Sequence, residues 1–144
     1  MPIDTIDFIA LEKEISETGK PHLDYLAEDT GKAYVVAITR DGCQACDTQK
    51  PKLNKLAKTM IEKHRRKVVF MNIHVRQPRG SDGESLRSKG LLGHYFYPTN
   101  LVLTRTADRG AIEFYRNVSP EMDELEKNIE TAIEVAGMLE KEMS

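Results

Sequence analysis

The sequence predicts an α/β protein in which helices cover both faces of one mixed β-sheet. Two observations lead to this fold class. A strand pattern, a long helical pattern and a second strand pattern follow one another between residues 33 and 75, and this order implies a parallel crossover. Two later strand patterns, at residues 100–106 and 111–118, flank the turn sequence ADRG, which is typical of an antiparallel hairpin.

The composition describes a single globular domain. The chain has 144 residues, of which 40% are hydrophobic and 31% are charged, and its net charge is −2. This length is sufficient to bury one core. The nearly balanced charge provides no attraction toward nucleic acid or an anionic membrane surface. We expect a monomer with neither nucleic acid nor a membrane among its partners.

The compartment is predicted from the N-terminus and from the lack of long apolar runs. The opening segment MPIDTIDFIALEKEIS carries acidic residues where a secretory signal carries basic ones. No stretch approaches the roughly 18 apolar residues of a membrane span. A cytoplasmic protein is therefore expected. In the cytoplasm structural disulfides are rare, so a close pair of cysteines is more often catalytic or metal-binding.

The first 30 residues are predicted to be helical. Residues 4–18 place Phe8, Leu11 and Ile15 on one helix face, and Gly19 with Pro21 just beyond it marks the end of this helix. A second, short helix is predicted to end at Gly31. We therefore divide the chain into an N-terminal helical extension, residues 1–30, packed on a domain that spans residues 31–144.

The centre of the chain holds the only two cysteines. The run AYVVAIT, residues 33–39, predicts a strand buried on both faces. The helix after it has an apolar stripe at helical spacing: Leu53, Leu56, Ala57, Met60 and Ile61. Extending this stripe back by seven residues from Leu53 places Cys46 on the inner face, while Cys43 lies at or before the first turn. The two thiols are thus predicted to differ in exposure.

The remaining elements follow in the same way. Residues 67–75 predict a strand, and Ser81 with Glu84 predicts a capping box for a short helix that reaches Gly90. After the hairpin, Ser119 and Pro120 are predicted to open the last helix. Its inner face contains six apolar residues: Met122, Leu125, Ile129, Ala132, Ile133 and Ala136.

This order of elements, together with three local matches, resembles the thioredoxin family. Cys43 and Cys46 form a CxxC at the start of a helix, where the family has its redox pair. Pro51, five residues after the second cysteine, matches the proline that kinks this helix in thioredoxins. Tyr97-Pro98-Thr99, just before the strand NLVLT, matches the cis-proline loop. The resemblance covers about residues 31–136 and implies the thioredoxin fold in a divergent member.

The resemblance implies a thiol–disulfide oxidoreductase that reduces protein disulfides. Disulfide exchange requires a thiolate, and the first turn of a helix favours a negative sulfur through its unpaired N–H groups and its dipole. We expect Cys43 to attack the disulfide of a substrate and Cys46 to resolve the mixed disulfide. A cis Pro98 would place the backbone of Tyr97 beside the sulfurs, where it would pair with an extended substrate. The substrate surface would be completed by the residues around the cysteines: Gly42, Gln44 and Ala45.

The sequence also departs from the family pattern. Gly42 stands where thioredoxins have tryptophan, and Gln44-Ala45 replaces Gly-Pro, so the reduction potential does not carry over. Ala37 and, in our alignment, Phe70 occupy the positions of a buried aspartate and its lysine partner. Either water relays the proton of Cys46 or another side chain replaces that acid, and the candidates are Asp41 and His74.

Other readings of the cysteine pair remain open. A zinc site requires four ligands, and the four histidines are too scattered to complete one: His22, His64, His74 and His94. We expect no metal and no bound organic cofactor, with electrons supplied by an external reductase or a small thiol. The alternatives are a binding or adaptor module without redox turnover, and an oxidase or isomerase of protein disulfides.

Overall fold

The computed structural model describes residues 2–76 and 83–143, which form five strands and five α-helices. Within these residues, no helix is long and apolar enough to cross a membrane. A short 3-10 helix, Arg65–Lys67, follows the third α-helix. The other elements, in chain order, are β1 Ile3–Asp7, α1 Phe8–Thr18, α2 His22–Leu26, β2 Ala33–Arg40, α3 Gln44–His64, β3 Val68–Val75, α4 Gly83–Leu92, β4 Thr99–Thr106, β5 Gly110–Val118 and α5 Met122–Met143.

The five strands form one mixed sheet in the order β1-β3-β2-β4-β5. The pairs β1–β3 and β2–β3 are parallel, whereas β2–β4 and the hairpin pair β4–β5 are antiparallel. The predicted fold class, with a parallel crossover and an antiparallel hairpin, is confirmed. The crossover helix α3 brings the chain from β2 to β3, so the N-terminus of α3 lies at the carboxyl end of β2.

The predicted helix over residues 4–18 is wrong for its first four residues. Residues Ile3–Asp7 form β1, which pairs in register with β3 from Ile3↔Phe70 to Asp7↔His74. Helical spacing of apolar residues is a weak signal over so short a segment, and hydrogen bonding to the edge of β3 overrides it. The helix α1 begins at Phe8. The N-terminal residues therefore contribute a strand as well as helices, and the domain boundary at residue 30 stays a prediction.

The core has two layers, one on each face of the sheet. Alternate residues of β2 point to opposite faces, so Ala33, Val35 and Ala37 pack beneath α3 and α5. Tyr34, Val36 and Ile38 pack against α1 and α4 on the other face. The prediction that β2 is buried on both faces is confirmed. Most residues of the predicted inner faces are also buried: Leu53, Leu56, Ala57 and Met60 in α3, and Leu125, Ile129, Ala132, Ile133 and Ala136 in α5. Ile61 and Met122, which were predicted to lie on these faces, are partly buried.

Three predicted helix boundaries shift. The second helix ends at Leu26 rather than near Gly31, whose φ of 78° belongs to the turn that leads into β2. The last helix begins at Met122, because the backbone of Ser119 has a φ of 44° and its N–H donates to the Pro98 carbonyl. Ser119 is thus tied to the loop before β4 instead of capping α5.

The third shift concerns α4, which ends at Leu92, two residues beyond the predicted Gly90. Ser81, half of the predicted capping box, lies outside the described residues. The other half, Glu84, is buried and accepts a hydrogen bond of 2.5 Å from the backbone N–H of Arg76.

Candidate dithiol site

Cys43 and Cys46 form a disulfide at the N-terminus of α3. Cys43 is the N-cap residue, and its Sγ accepts a hydrogen bond of 3.1 Å from the backbone N–H of Cys46. The N–H groups of the first helical turn have no partner within the helix, so this sulfur satisfies one of them. The local structure follows from Gly42, whose φ of 69° turns the chain from β2 into α3.

The predicted difference in exposure between the two cysteines is wrong. Cys43 is 7% exposed and Cys46 is 5% exposed. Helix position alone predicts a more open N-cap residue, but the disulfide and the N–H···S hydrogen bond draw the Cys43 side chain toward the helix. Gly42, Gln44 and Ala45, beside the pair, are exposed, and their contact with a substrate stays a prediction.

Two of these flanking residues border an open groove. Gln44 and Ala45 line a pocket of about 440 Å³, together with Lys52 of α3 and with Ser119 and Pro120 before α5. Pro51 lies within α3 with its side chain exposed to solvent. Proline has no N–H to donate to the preceding helical turn, so it interrupts the hydrogen-bond ladder one turn after the cysteines.

The loop before β4 contains the cis peptide Tyr97–Pro98 that the resemblance implied. Pro98 is buried, and the Tyr97 ring is half-buried among contacts within the chain. Its hydroxyl lies 3.1 Å from Ser85 Oγ, the His94 ring meets it edge-on at 4.9 Å, and the Arg40 guanidinium lies 5.1 Å from its centre. The substrate-facing role of Tyr97 stays a prediction, since these contacts hold its ring against the protein.

The rings that this loop does expose are Tyr95 and Phe96. Tyr95 is 81% exposed and Phe96 is 65% exposed, whereas the ring predicted to face a substrate was Tyr97. Adjacent exposed aromatic side chains are more typical of interaction surfaces than of bare solvent-facing loops. In the sequence, the position of Tyr95 and Phe96 directly before Tyr97 was the feature that could have indicated these exposed rings.

Ala37 holds the position that the resemblance assigns to a buried acid, and its neighbours on the sheet are uncharged amides. Ala37 lies directly opposite Asn72 on β3 and Asn100 on β4. The register neighbour of Ala37 on β3 is therefore Asn72, and the match of Phe70 to the family's lysine stays a prediction. Asn100 is fully buried and exchanges two hydrogen bonds with Gln49 of α3, of 3.2 and 2.8 Å.

A second pocket, of about 250 Å³, opens between the start of α3 and the edge of the sheet formed by β1, β3 and β2. Cys46 and His74 both line it, and so do Thr39 and Asn72, whose side chains are joined by a hydrogen bond of 2.9 Å. His74 Nε2 lies 2.8 Å from a carboxylate oxygen of Asp41. The two sequence candidates to replace the family acid are thus in contact with each other.

The buried histidine of the site region is His94, behind the cis-proline loop. Its Nε2 lies 2.8 Å from Ser88 Oγ, and burial lowers its pKa from 6.5 to about 4. Nearby positive charges on Arg116 and Lys89 act in the same direction, while a hydrogen bond with the backbone of Phe96 opposes them. His94 is therefore neutral at physiological pH and forms part of the support of the loop.

The other histidines lie apart from the cysteine pair or bind carboxylates. His64, at the end of α3, lies 2.9 Å from Glu130, and His22 lies at the start of α2. Among the described residues, no group of three or more His, Cys, Asp or Glu side chains is arranged to hold a metal ion.

Comparison with protein-family models and with curated proteins gives no match. Solved structures do match along nearly the whole chain. Thioredoxin from Trichomonas vaginalis is 14% identical, with a TM-score of 0.58 over 90% of this chain and 96% of its own. Thioredoxin f2 from Chlamydomonas reinhardtii is 19% identical, with a TM-score of 0.57 over 90% of this chain and 94% of its own. The Trx4 domain of ERdj5 is 14% identical, with a TM-score of 0.60 over 94% of this chain and 98% of its own.

These identities are too low to carry over a function, but the shared architecture is unambiguous. The mixed five-stranded sheet, the flanking helices and the cysteine pair at the start of α3 occur together in this chain. The chain has the thioredoxin fold, with its CxxC pair, Cys43 and Cys46, at the N-terminus of the crossover helix.

Proposed function

We propose that this protein is a thiol–disulfide oxidoreductase that reduces disulfides in other proteins through Cys43 and Cys46. The observation that carries the proposal is the hydrogen bond from the Cys46 N–H to the Cys43 sulfur at the N-terminus of the 21-residue helix α3. A negative sulfur at this position gains from both the unpaired N–H groups and the helix dipole. The geometry thus favours the thiolate, which is the attacking species.

The proposed reaction has two steps. In the first step the Cys43 thiolate attacks one sulfur of the substrate disulfide, and the other substrate sulfur leaves as a thiolate that takes up a proton. In the second step the Cys46 thiol loses its proton and attacks Cys43, which releases the second substrate thiolate. Two electrons pass from the dithiol to the substrate, and the Cys43–Cys46 disulfide forms. The exchange requires no metal and no bound organic cofactor.

The reducing direction is part of the proposal. In the cytoplasm, where we place the protein, thiols are kept reduced, so a dithiol delivers electrons more readily than it removes them. A disulfide reductase or a small thiol would then return two electrons to the oxidised pair. The opposite direction, oxidation or isomerisation of protein disulfides, uses the same two cysteines and differs only in potential.

A second function has its own supporting observation. Tyr95 and Phe96 expose large rings directly before the cis Tyr97–Pro98 pair, as a protein-binding surface does. An adaptor module would use this surface without turnover of the cysteines. Unchanged binding of a partner by the Cys43→Ser variant would favour the adaptor, and loss of every function in that variant would favour the oxidoreductase.

The equilibrium potential of the Cys43–Cys46 pair tests the proposal. Thiol quantitation across buffers of reduced and oxidised small thiol would give its value. We expect about −270 to −220 mV, the range from thioredoxin to glutaredoxins. A value of about −180 to −120 mV would instead indicate an oxidase or isomerase. If no intramolecular disulfide formed in any buffer, the redox proposal would fail and the adaptor would replace it.

A further inference from the structure

The second step of the proposed exchange requires the Cys46 thiol to lose a proton. Cys46 is only 5% exposed, and burial disfavours a charged thiolate. Its sulfur is not the one that the helix N-terminus stabilises, since the N–H···S hydrogen bond is accepted by Cys43. Gln49, three residues after Cys46 on α3, and its partner Asn100 are both buried amides, and an amide does not take up a proton at neutral pH.

The pocket beside Cys46 is also lined by His74, whose imidazole is a base. At about 250 Å³ it has room for several water molecules, and its walls carry the polar side chains that ordered water needs. On β3, Phe70, Asn72 and His74 alternate onto the α3 face, because Phe70 belongs to the core layer beneath α3. His74 is therefore presented on the same face as Cys46 at the carboxyl end of the strand, and both residues line the pocket.

The imidazole of His74 is held for this role by Asp41. The Asp41 carboxylate lies 2.8 Å from His74 Nε2, and the backbone N–H of Asp41 donates to the Val75 carbonyl, which ties the β2–α3 turn to β3. A carboxylate at one ring nitrogen orients the imidazole, which leaves the other nitrogen to accept a proton. Histidine is also the side chain that most often acts as a general acid or base in proteins.

Other charged groups surround this pair. Asp7 lies opposite His74 in the β1–β3 register, and its carboxylate is 3.7 Å from Arg76 Nε, so an ion pair occupies it. The pocket is also lined by three charged side chains: Arg40, Asp47 and Lys50. Among them Asp47 is the competing acceptor, since it follows Cys46 in the chain. A carboxylate is a much weaker base than an imidazole at neutral pH.

We propose that His74, oriented by Asp41, accepts the proton of the Cys46 thiol through water in this pocket and so promotes the second step of the exchange. This inference rests on the proposed function. As the proton passes to His74, the Cys46 sulfur forms a bond to the Cys43 sulfur, the bond between Cys43 and the substrate sulfur breaks, and the substrate thiolate leaves. The imidazolium then returns its proton to solvent or to the departing thiolate.

A reaction with two phases distinguishes the step carried out by Cys43 from the step carried out by Cys46. The fully reduced protein is mixed with an equimolar amount of the chromogenic disulfide dithiobis(nitrobenzoate) in a stopped-flow instrument. The first release of coloured thiol reports attack by Cys43, and the second reports displacement by Cys46. The Cys46→Ser variant identifies the second phase by losing it. The test variants are His74→Gln, His74→Ala and Asp41→Asn.

The matched control is His64→Gln. His64 also lies against a carboxylate, 2.9 Å from Glu130, but at the opposite end of α3. General acid–base assistance contributes about 10²–10⁴-fold in typical enzymes, and bulk water competes at an open pocket. We therefore expect His74→Gln and His74→Ala to slow the second phase by about tenfold or more. The rate of the first phase should not change in these variants, and both rates of His64→Gln should equal those of wild type. Asp41→Asn should slow the second phase by a smaller factor.

Added imidazole distinguishes proton transfer from a structural role. It should restore the second phase of His74→Ala in a concentration-dependent way and leave wild type unaffected, since the deleted ring leaves space in the pocket. Three results would overturn the inference. The His74 variants could leave the rate of the second phase unchanged, or they could slow both phases equally without rescue by imidazole. Alternatively, Asp47→Asn could slow the second phase while His74→Gln does not. If wild type itself lacks a second phase, the proposed function fails along with it.

Discussion

The side-chain amides of Gln49 and Asn100 exchange two hydrogen bonds, of 3.2 and 2.8 Å, between α3 and β4. Gln49 is 6% exposed and Asn100 is fully buried, so neither amide has an alternative partner in bulk water. The pair lies one turn after Cys46 and beside Ala37, where the family pattern has a charged group. This site is thus supported by a neutral polar contact.

The first prediction concerns this pair. Gln49→Leu or Asn100→Leu alone leaves a buried amide without its partner, which costs about 1–3 kcal/mol of unfolding free energy. The double variant removes both polar groups, so we expect it to be more stable than the sum of the single variants predicts. Urea denaturation of all four proteins measures this coupling.

A control for this cycle is Asn128→Ala, because Asn128 makes an exposed hydrogen bond on α5. Its effect should stay within about 0.5 kcal/mol. Additive effects of the two leucine substitutions would contradict the coupling that the hydrogen bonds imply.

The second prediction separates the roles of the two cysteines. With Cys46→Ser, the mixed disulfide between Cys43 and a protein substrate has no resolving thiol, so the covalent complex should accumulate. Cys43→Ser should accumulate little of it, because the remaining sulfur is not the one that the helix N-terminus stabilises. Non-reducing electrophoresis and intact-mass spectrometry after incubation with a disulfide-containing protein measure both complexes. Equal trapping by the two variants would show that the assigned order of attack is wrong.

The third prediction tests the aromatic surface. Tyr95→Ala and Phe96→Ala should each raise the KM for a protein disulfide by about fivefold, which corresponds to about 1 kcal/mol of lost contact. A small chromogenic disulfide is too small to reach these rings, so its rate should not change. The control is Leu86→Ala on α4, because Leu86 is as exposed as Phe96, at 65%. A similar increase in Leu86→Ala would mean that general surface hydrophobicity, and not this loop, determines the KM.

The fourth prediction follows from the buried His94. Its pKa is lowered to about 4 by burial, so the unfolded chain, with an ordinary value of 6.5, binds the proton more tightly. The stabilisation due to neutral His94 is therefore complete above about pH 6.5 and is lost progressively as the pH falls toward 4. Between pH 7 and pH 5 the unfolding free energy should fall by about 1–2 kcal/mol from this residue alone.

Urea denaturation of wild type and His94→Gln at both pH values isolates this contribution. The variant keeps a polar side chain of similar length but has no proton to bind in this range, so its loss of stability should be smaller by that amount. The same pH dependence in both proteins would contradict the assignment to His94.

Local patterns in the sequence were sufficient to predict β2, α3, the hairpin, and most residues of the inner faces of α3 and α5. These elements have strong periodicity, and each is long enough for its own apolar spacing to determine which side is buried. The CxxC at a helix start and the proline of the Tyr97–Pro98 bond were likewise visible, because helix N-termini and X-Pro peptides are properties of a few adjacent residues.

Only the tertiary structure decided the features that depend on neighbours distant in the chain. Residues 3–7 form a strand because the edge of β3 supplies hydrogen-bond partners that no local pattern contains. Asn72 lies beside Ala37 because strand register determines which residues of two strands are neighbours. The contacts of His74 with Asp41 and of Gln49 with Asn100 arise in the same way. Sequence thus determined which groups can perform the chemistry, and packing decided which of them lie together, since contact energies depend on atoms within a few ångströms in space.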